Sequence, residues 1–199
     1  MDWLNGARAQ PFRRRTGRTR AEAASRAHMS LDSVRDFLAR HAPDLEIIDQ
    51  GRSTATVVEA AETLGVEPGQ IAKTLSVRVG AQVVLVVARG DARLDNRKCK
   101  QAFGARPHML GHEETEKLTG HPVGGVCPFG LATPLPAYCD ISLKDFDMVY
   151  PAAGSRTASV ALTPERLAAL VDAAWVDVCQ RASEEISAAP PPPLPSAAP

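Results

Sequence analysis

Apolar positions along the chain recur at two spacings. Leu31, Val34, Phe37 and Leu38 fall at helical intervals up to about His41, with Ser30 placed as an N-cap and Pro43 beyond the end. A second helix is predicted from Val57 to Leu64, closed by Gly65, and Leu45–Ile48 between the two reads as a short strand. Ile71–Val79 and Gln82–Ala88 read as two strands joined by a tight turn. The unbroken run Val83-Val84-Leu85-Val86-Val87 implies a central strand covered on both faces.

The second half continues in short elements. A helix is predicted from Asp95 or Asn96 to Gly104, a strand over Arg106–Leu110, and an acidic helix from His112 to Leu118 that ends at Gly120. Further strands are expected at Ala137–Ile141 and Met148–Tyr150, and Thr157–Leu162 alternates as a half-buried strand does. Thr163-Pro164-Glu165 opens a helix that runs to about Leu170, and Trp175–Val178 reads as a last strand or an extended segment. Short strands and helices joined by turns rather than regular crossovers predict a single α+β domain. Its sheet is expected to be mixed, curved and barrel-like, flanked by short helices. No dinucleotide fingerprint, P-loop or internal repeat is present.

Composition changes this picture mainly at the ends. Residues 1–28 carry seven arginines against Asp2 and Glu22, a net of +5, in a chain whose total is zero. This segment is expected to be a disordered basic arm able to add phosphate contacts to RNA; Met29 as the biological start and an arginine-rich transit peptide are the other readings. The folded domain is expected over residues 29–180. Residues 181–199, rich in proline and alanine, are expected to be a disordered tail. Cys99, Cys127, Cys139 and Cys179 are scattered, with no C-x-x-C pair, which fits reduced thiols in a cytoplasm. No apolar run approaches the roughly 20 residues of a membrane span.

Two stretches carry candidate chemistry. Gly120–Leu131 holds four glycines and two prolines, and Gly124-Gly125 followed by Cys127-Pro128 describes a rigid loop with main-chain N–H groups turned outward. Such a loop suits an ester carbonyl, a sugar or a phosphate oxygen. Lys73, one of five lysines against eighteen arginines, sits in an apolar strand start between Ile71-Ala72 and Leu75, where a compact cation can hold a phosphate or a developing oxyanion. Cys127, with His121 six residues upstream, raises a cysteine hydrolase as a further reading, though no helix N-terminus follows to lower its pKa. His108, His112 and His121 match no zinc spacing, so neither a metal nor another cofactor is expected.

Taken together and in order, Ile71-Ala-Lys73-Thr-Leu75, Arg93-Leu-Asp95 before a helix, Gly124-Gly-Val-Cys-Pro128-Phe-Gly130, and Ala153-Gly154 before an alternating strand resemble the YbaK/EbsC family. That family includes the editing domain associated with prolyl-tRNA synthetase, and the resemblance covers about residues 30–172. It implies a trans-acting deacylase that hydrolyses the ester of mischarged aminoacyl-tRNA. On this resemblance Lys73 lies in the active site and positions the 3′ end of the tRNA. Gly124, Gly125, Val126, Cys127 and Pro128 form the ester-binding loop; apart from the resemblance, the place of Ser53 and Thr54 just before the second helix puts them among the expected pocket-lining residues.

The implied partners are aminoacyl-tRNA, foremost tRNA(Pro) carrying a small non-cognate amino acid, and prolyl-tRNA synthetase. An activated ester needs orientation and oxyanion stabilisation more than a triad or a metal. Members with cysteinyl-tRNA activity have a serine and an aspartate where Ala152 and Ser159 align, and an aromatic residue near Asp49-Gln50. The amino acid removed therefore does not carry over. A non-catalytic module that binds a nucleotide or tRNA end with the same lysine and loop is the alternative.

Overall fold

The structure is a computed structural model describing residues 20–180. Residues 1–19 of the expected basic arm and the whole of the expected tail lie outside the described residues. The described residues form five α-helices, α1 (Arg20–His41), α2 (Val57–Leu64), α3 (Asn96–Phe103), α4 (His112–Thr119) and α5 (Pro164–Leu170). The strands are β1 (Ile47–Asp49), β2 (Ile71–Val79), β3 (Gln82–Arg89), β4 (Arg93–Leu94), β5 (Pro107–Met109), β6 (Ala137–Asp140), β7 (Tyr150–Pro151), β8 (Ala158–Val160), β9 (Ala174–Val176) and β10 (Cys179–Gln180). No helix among the described residues is long and apolar enough to cross a membrane.

The main sheet runs in the order β5-β2-β3-β6-β9, with β7 added beside β2. β2 pairs antiparallel with β3 and β5, while β6, β7 and β9 join in parallel, so the sheet is mixed. Its path runs from β5 to β9 without closing into a barrel. Two small antiparallel pairs, β1 with β8 and β4 with β10, pack around it. The β4–β10 pair was not expected, because two-residue strands leave no periodicity to read.

β3 is the centre. Val84, Leu85, Val86, Val87 and Ala88 are each at most 1% exposed. Val87 faces a cluster with Val34, Leu38, Phe129, Leu143 and Val160, whereas Val84, Val86 and Ala88 face one with Val77, Cys99 and Val178. A strand buried on both faces needs apolar residues at every position, which is the pattern Val83–Val87 shows.

Helix ends mostly follow local chemistry. Thr56 and Glu59 form a capping box at α2, Asp95 caps α3 through the N–H groups of Arg97 and Lys98, and Thr163 caps α5. Ser30 differs from expectation: it lies within α1 rather than capping it. The alanine-rich segment from Arg20 extends the helix upstream, and the freed Ser30 hydroxyl turns inward instead.

Candidate functional site

β2 has one complete and one interrupted side. β3 pairs with it from Ala72 to Val79. On the other side β7 covers Ile71 and Ala72, β5 covers Val77–Val79, and Leu110 N donates to Ser76 O at 3.0 Å. Lys73–Leu75 lie between these neighbours. Main-chain groups of alternate strand residues point the same way, so Thr74 turns its N–H and C=O to the side on which Ser76 accepts from Leu110. A cavity of about 380 Å³ opens at this gap. Ile71–Ser76 form one wall, Thr54–Val57 at the start of α2 another, Met109 and Leu110 a third, and Val123, Gly124 and Val126 a fourth.

Lys73 is half-buried at the wall. Its Nζ donates to Gly90 O at 2.8 Å and also to Ala92 O, which leaves one ammonium proton. Burial, the largest influence on it, holds its pKa below the usual lysine value.

The fourth wall is a tight turn. Gly125 N donates to Pro122 O at 2.8 Å, and Gly124 has φ +91°, the features of a type II turn with glycine at the third position. Arg156 Nε donates to Val123 O at 2.8 Å. Because the peptide is planar and trans, the Gly124 N–H points away from that guanidinium. A Cβ on Gly124 would lie 2.9 Å from Ala55 Cβ, and one on Gly125 would lie 2.6 Å from the Ser155 carbonyl carbon. The loop is therefore seated against α2's entry and against the turn before β8.

Behind the loop lies a buried polar centre. His121 is fully buried, with Nδ1 2.6 Å from Ser30 Oγ and Nε2 2.7 Å from Phe129 O. A carbonyl only accepts, so Nε2 carries the proton and Nδ1 accepts from the serine hydroxyl. Burial lowers the His121 pKa, which keeps the ring neutral. Cys127 Sγ sits 3.5 Å from Nε2, but that nitrogen already donates to Phe129 O, and burial pushes the thiol up to about 12. A buried thiol whose neighbouring imidazole has no free lone pair toward it is not an activated nucleophile.

The residues singled out from sequence thus separate into two groups. Lys73, Thr54, Gly124 and Val126 meet at the cavity wall. Gly125, Cys127 and Pro128 are buried behind it, and Ser53 is exposed with its hydroxyl on Glu59 Oε2 at 2.8 Å. These four do not line the cavity: the turn presents one side only, and the capping box at α2 draws Ser53 outward. Among the described residues no three of His, Cys, Asp and Glu gather as a metal site. Sequence reasoning missed Ala55, Leu75, Ser76, Met109 and Leu110 on the wall, and Arg156 beside it; Ala152, aligned from sequence with a specificity position, also lines the wall. For the apolar ones the only signal was a strand pattern equally consistent with core.

Comparison with known proteins bears on what this cavity does. Residues 52–170 match the model of the aminoacyl-tRNA editing domain. The Bacillus subtilis protein YwhH, uncharacterised, is 47% identical over 154 residues, covering 76% of this chain and 98% of YwhH. EbsC of Enterococcus faecalis, named as a candidate Cys-tRNA(Pro)/Cys-tRNA(Cys) deacylase, is 32% identical over 121 residues, 59% of this chain and 73% of EbsC. The crystal structure of a candidate trans-editing enzyme for prolyl tRNA synthetase matches with a TM-score of 0.71 and 35% identity, covering 76% of this chain and 97% of that one.

Proposed function

Because the chain belongs to the aminoacyl-tRNA editing domain family and is an aminoacyl-tRNA deacylase, we propose that it clears a small non-cognate amino acid from tRNA(Pro), in trans, at the cavity beside β2. The naming of EbsC and of the structural relative for tRNA(Pro) and prolyl-tRNA synthetase supports the choice of tRNA, and supports the synthetase as a partner.

The observation that carries the site is the Val123–Gly124 peptide. Its N–H is turned from the guanidinium that takes its carbonyl, and Gly124 shares the cavity wall with Lys73. In this reading the ester carbonyl lies against the Gly124 N–H, which stabilises the oxyanion as water attacks. Lys73, with one ammonium proton uncommitted, holds the ribose-phosphate end, and a ribose hydroxyl of the substrate assists the water. No protein nucleophile is needed, in keeping with the inert Cys127. Apolar walls from Val57, Ile71, Leu75, Leu110 and Ala152 exclude by size, and one methylene there is worth about 1–3 kcal/mol.

The test is release of label from tRNA(Pro) charged with alanine, cysteine, serine, threonine or proline, by wild type and by Lys73→Ala. The expected result is release of one small non-cognate amino acid, sparing prolyl-tRNA and lost in the variant. Intact tRNA binding with no release from any substrate would sink the proposal and leave a binding module.

A further inference from the structure

Arg156 is outside the cavity wall, yet two walls meet on it. Its Nε donates to Val123 O at 2.8 Å, while its own carbonyl accepts from Thr54 N at 2.6 Å and from Thr54 Oγ1 at 3.0 Å. The residue is exposed, so it contributes little to the core.

The peptide it grips is the central one of the Pro122–Gly125 turn. Glycine at the third position of a turn accepts the type II arrangement seen here and also the type I arrangement, in which that peptide is turned over. The exchange leaves Pro122 and Gly125 in place and keeps their mutual hydrogen bond, so that bond does not choose between the two. It does swap the sides on which Val123 C=O and Gly124 N–H emerge. A charge-assisted bond to the Val123 carbonyl exists only when that oxygen faces Arg156, and it is stronger than a bond between neutral groups.

We propose that Arg156 is a positioning residue for deacylation: by holding the Val123 carbonyl it locks the Val123–Gly124 peptide with the Gly124 N–H toward the ester. Its main-chain bond with Thr54 keeps the α2 entry and the loop in one register on the same residue. This inference rests on the reading of Gly124 as oxyanion donor. Arg156 itself touches neither ester nor water.

The test uses the full chain, the aminoacyl-tRNA that wild type turns over best, and the variants Arg156→Ala and Arg156→Lys. For Arg156→Ala, kcat should fall about 10- to 100-fold, less than outright loss of an oxyanion donor, with KM within about twofold. Arg156→Lys should recover part of the loss, since an ammonium can still donate to the carbonyl. Thermal melting should be unchanged, and in isotope-labelled protein the Gly124 amide resonance should shift in Arg156→Ala and move back in Arg156→Lys. A wild-type kcat in Arg156→Ala, a change confined to KM, or a lowered kcat with an unmoved Gly124 resonance would each overturn the proposal. If wild type releases nothing, the deacylation reading fails and the proposal with it. That result differs from an active parent with an equally active Arg156→Ala, which overturns only the role of Arg156.

Discussion

The β2–β3 hairpin and the 120–131 loop both serve the cavity, but they are held by opposite means. The hairpin is a continuous ladder of eight pairs, from Ala72 opposite Arg89 to Val79 opposite Gln82, with apolar residues on both faces of β3. The loop has no ladder. It is fixed by one turn bond, the Arg156 guanidinium, the His121 imidazole and close backbone approaches at Gly124, Gly125 and Gly130. In the hairpin the stabilisation is spread over many contacts. In the loop it is concentrated in a few, and those at Val123, Gly124 and Gly125 also set the direction of the Gly124 N–H. Damage to the hairpin should therefore register as stability, and damage to the turn around Gly124 and Gly125 as turnover.

The largest effect that would break or sharpen this contrast is Gly125→Ala against Leu85→Ala. A Cβ at Gly125 meets Ser155 main chain at 2.6–2.9 Å, so the loop must move. A displacement of that order costs about 100-fold in kcat, measured by single-turnover deacylation. Leu85 is fully buried in β3, and its truncation should cost about 2–5 kcal/mol in urea melts while the fraction still folded keeps its turnover. Equal losses of turnover in the two folded variants would erase the distinction.

His121→Phe comes next. It leaves Ser30 Oγ without its His121 partner and Phe129 O with only the weak Cys127 thiol donor at 3.7 Å, and an unsatisfied buried group costs about 1–3 kcal/mol. It also removes a pH dependence. The native pKa of His121 is lowered, so the unfolded chain takes up a proton first as pH falls below about 6.5, and native stability drops from there down to the native pKa. Urea melts in the pH 5–7 range should show this slope diminished in His121→Phe. The same slope in wild type and variant would mean that another group carries it.

The smallest effect is expected for Cys127→Ala. The thiol is buried, with its pKa near 12, so turnover should stay within about twofold of wild type and thiol alkylation of the native protein should not inhibit. An inactive Cys127→Ala that still folds would restore the cysteine hydrolase.

What was legible in the sequence divides along the same line. α2, β2, α3 and the start of α5 follow from periodicity and caps that are local, and observed bounds agree with those read from Val57–Leu64, Ile71–Val79 and Thr163-Pro164-Glu165. Lys73, Gly124 and Val126 were legible from the family motifs and Thr54 from its place just before α2, and the four share one cavity. Which side of the loop faces that cavity was not legible. It depends on Arg156 meeting Val123 and on Ser155 backing Gly125, contacts between residues some 30 positions apart that leave no periodic trace. The buried role of His121 was hidden for the same reason, since Ser30 is 91 residues away.

The gap in β2 has a consequence for how the molecule behaves in a crowded solution. Unpaired strand edges are templates on which foreign chains assemble, and proteins usually blunt them with charge, bulges or a cover. Here the exposed main chain is confined to Lys73–Leu75, stopped by β7 at one end and by β5 at the other. A stretch this short opens onto the cavity but gives an invading strand too few rungs to hold, since strands typically span about five to six residues. The gap can thus leave main chain open to the cavity without giving an invading strand a long edge to pair with.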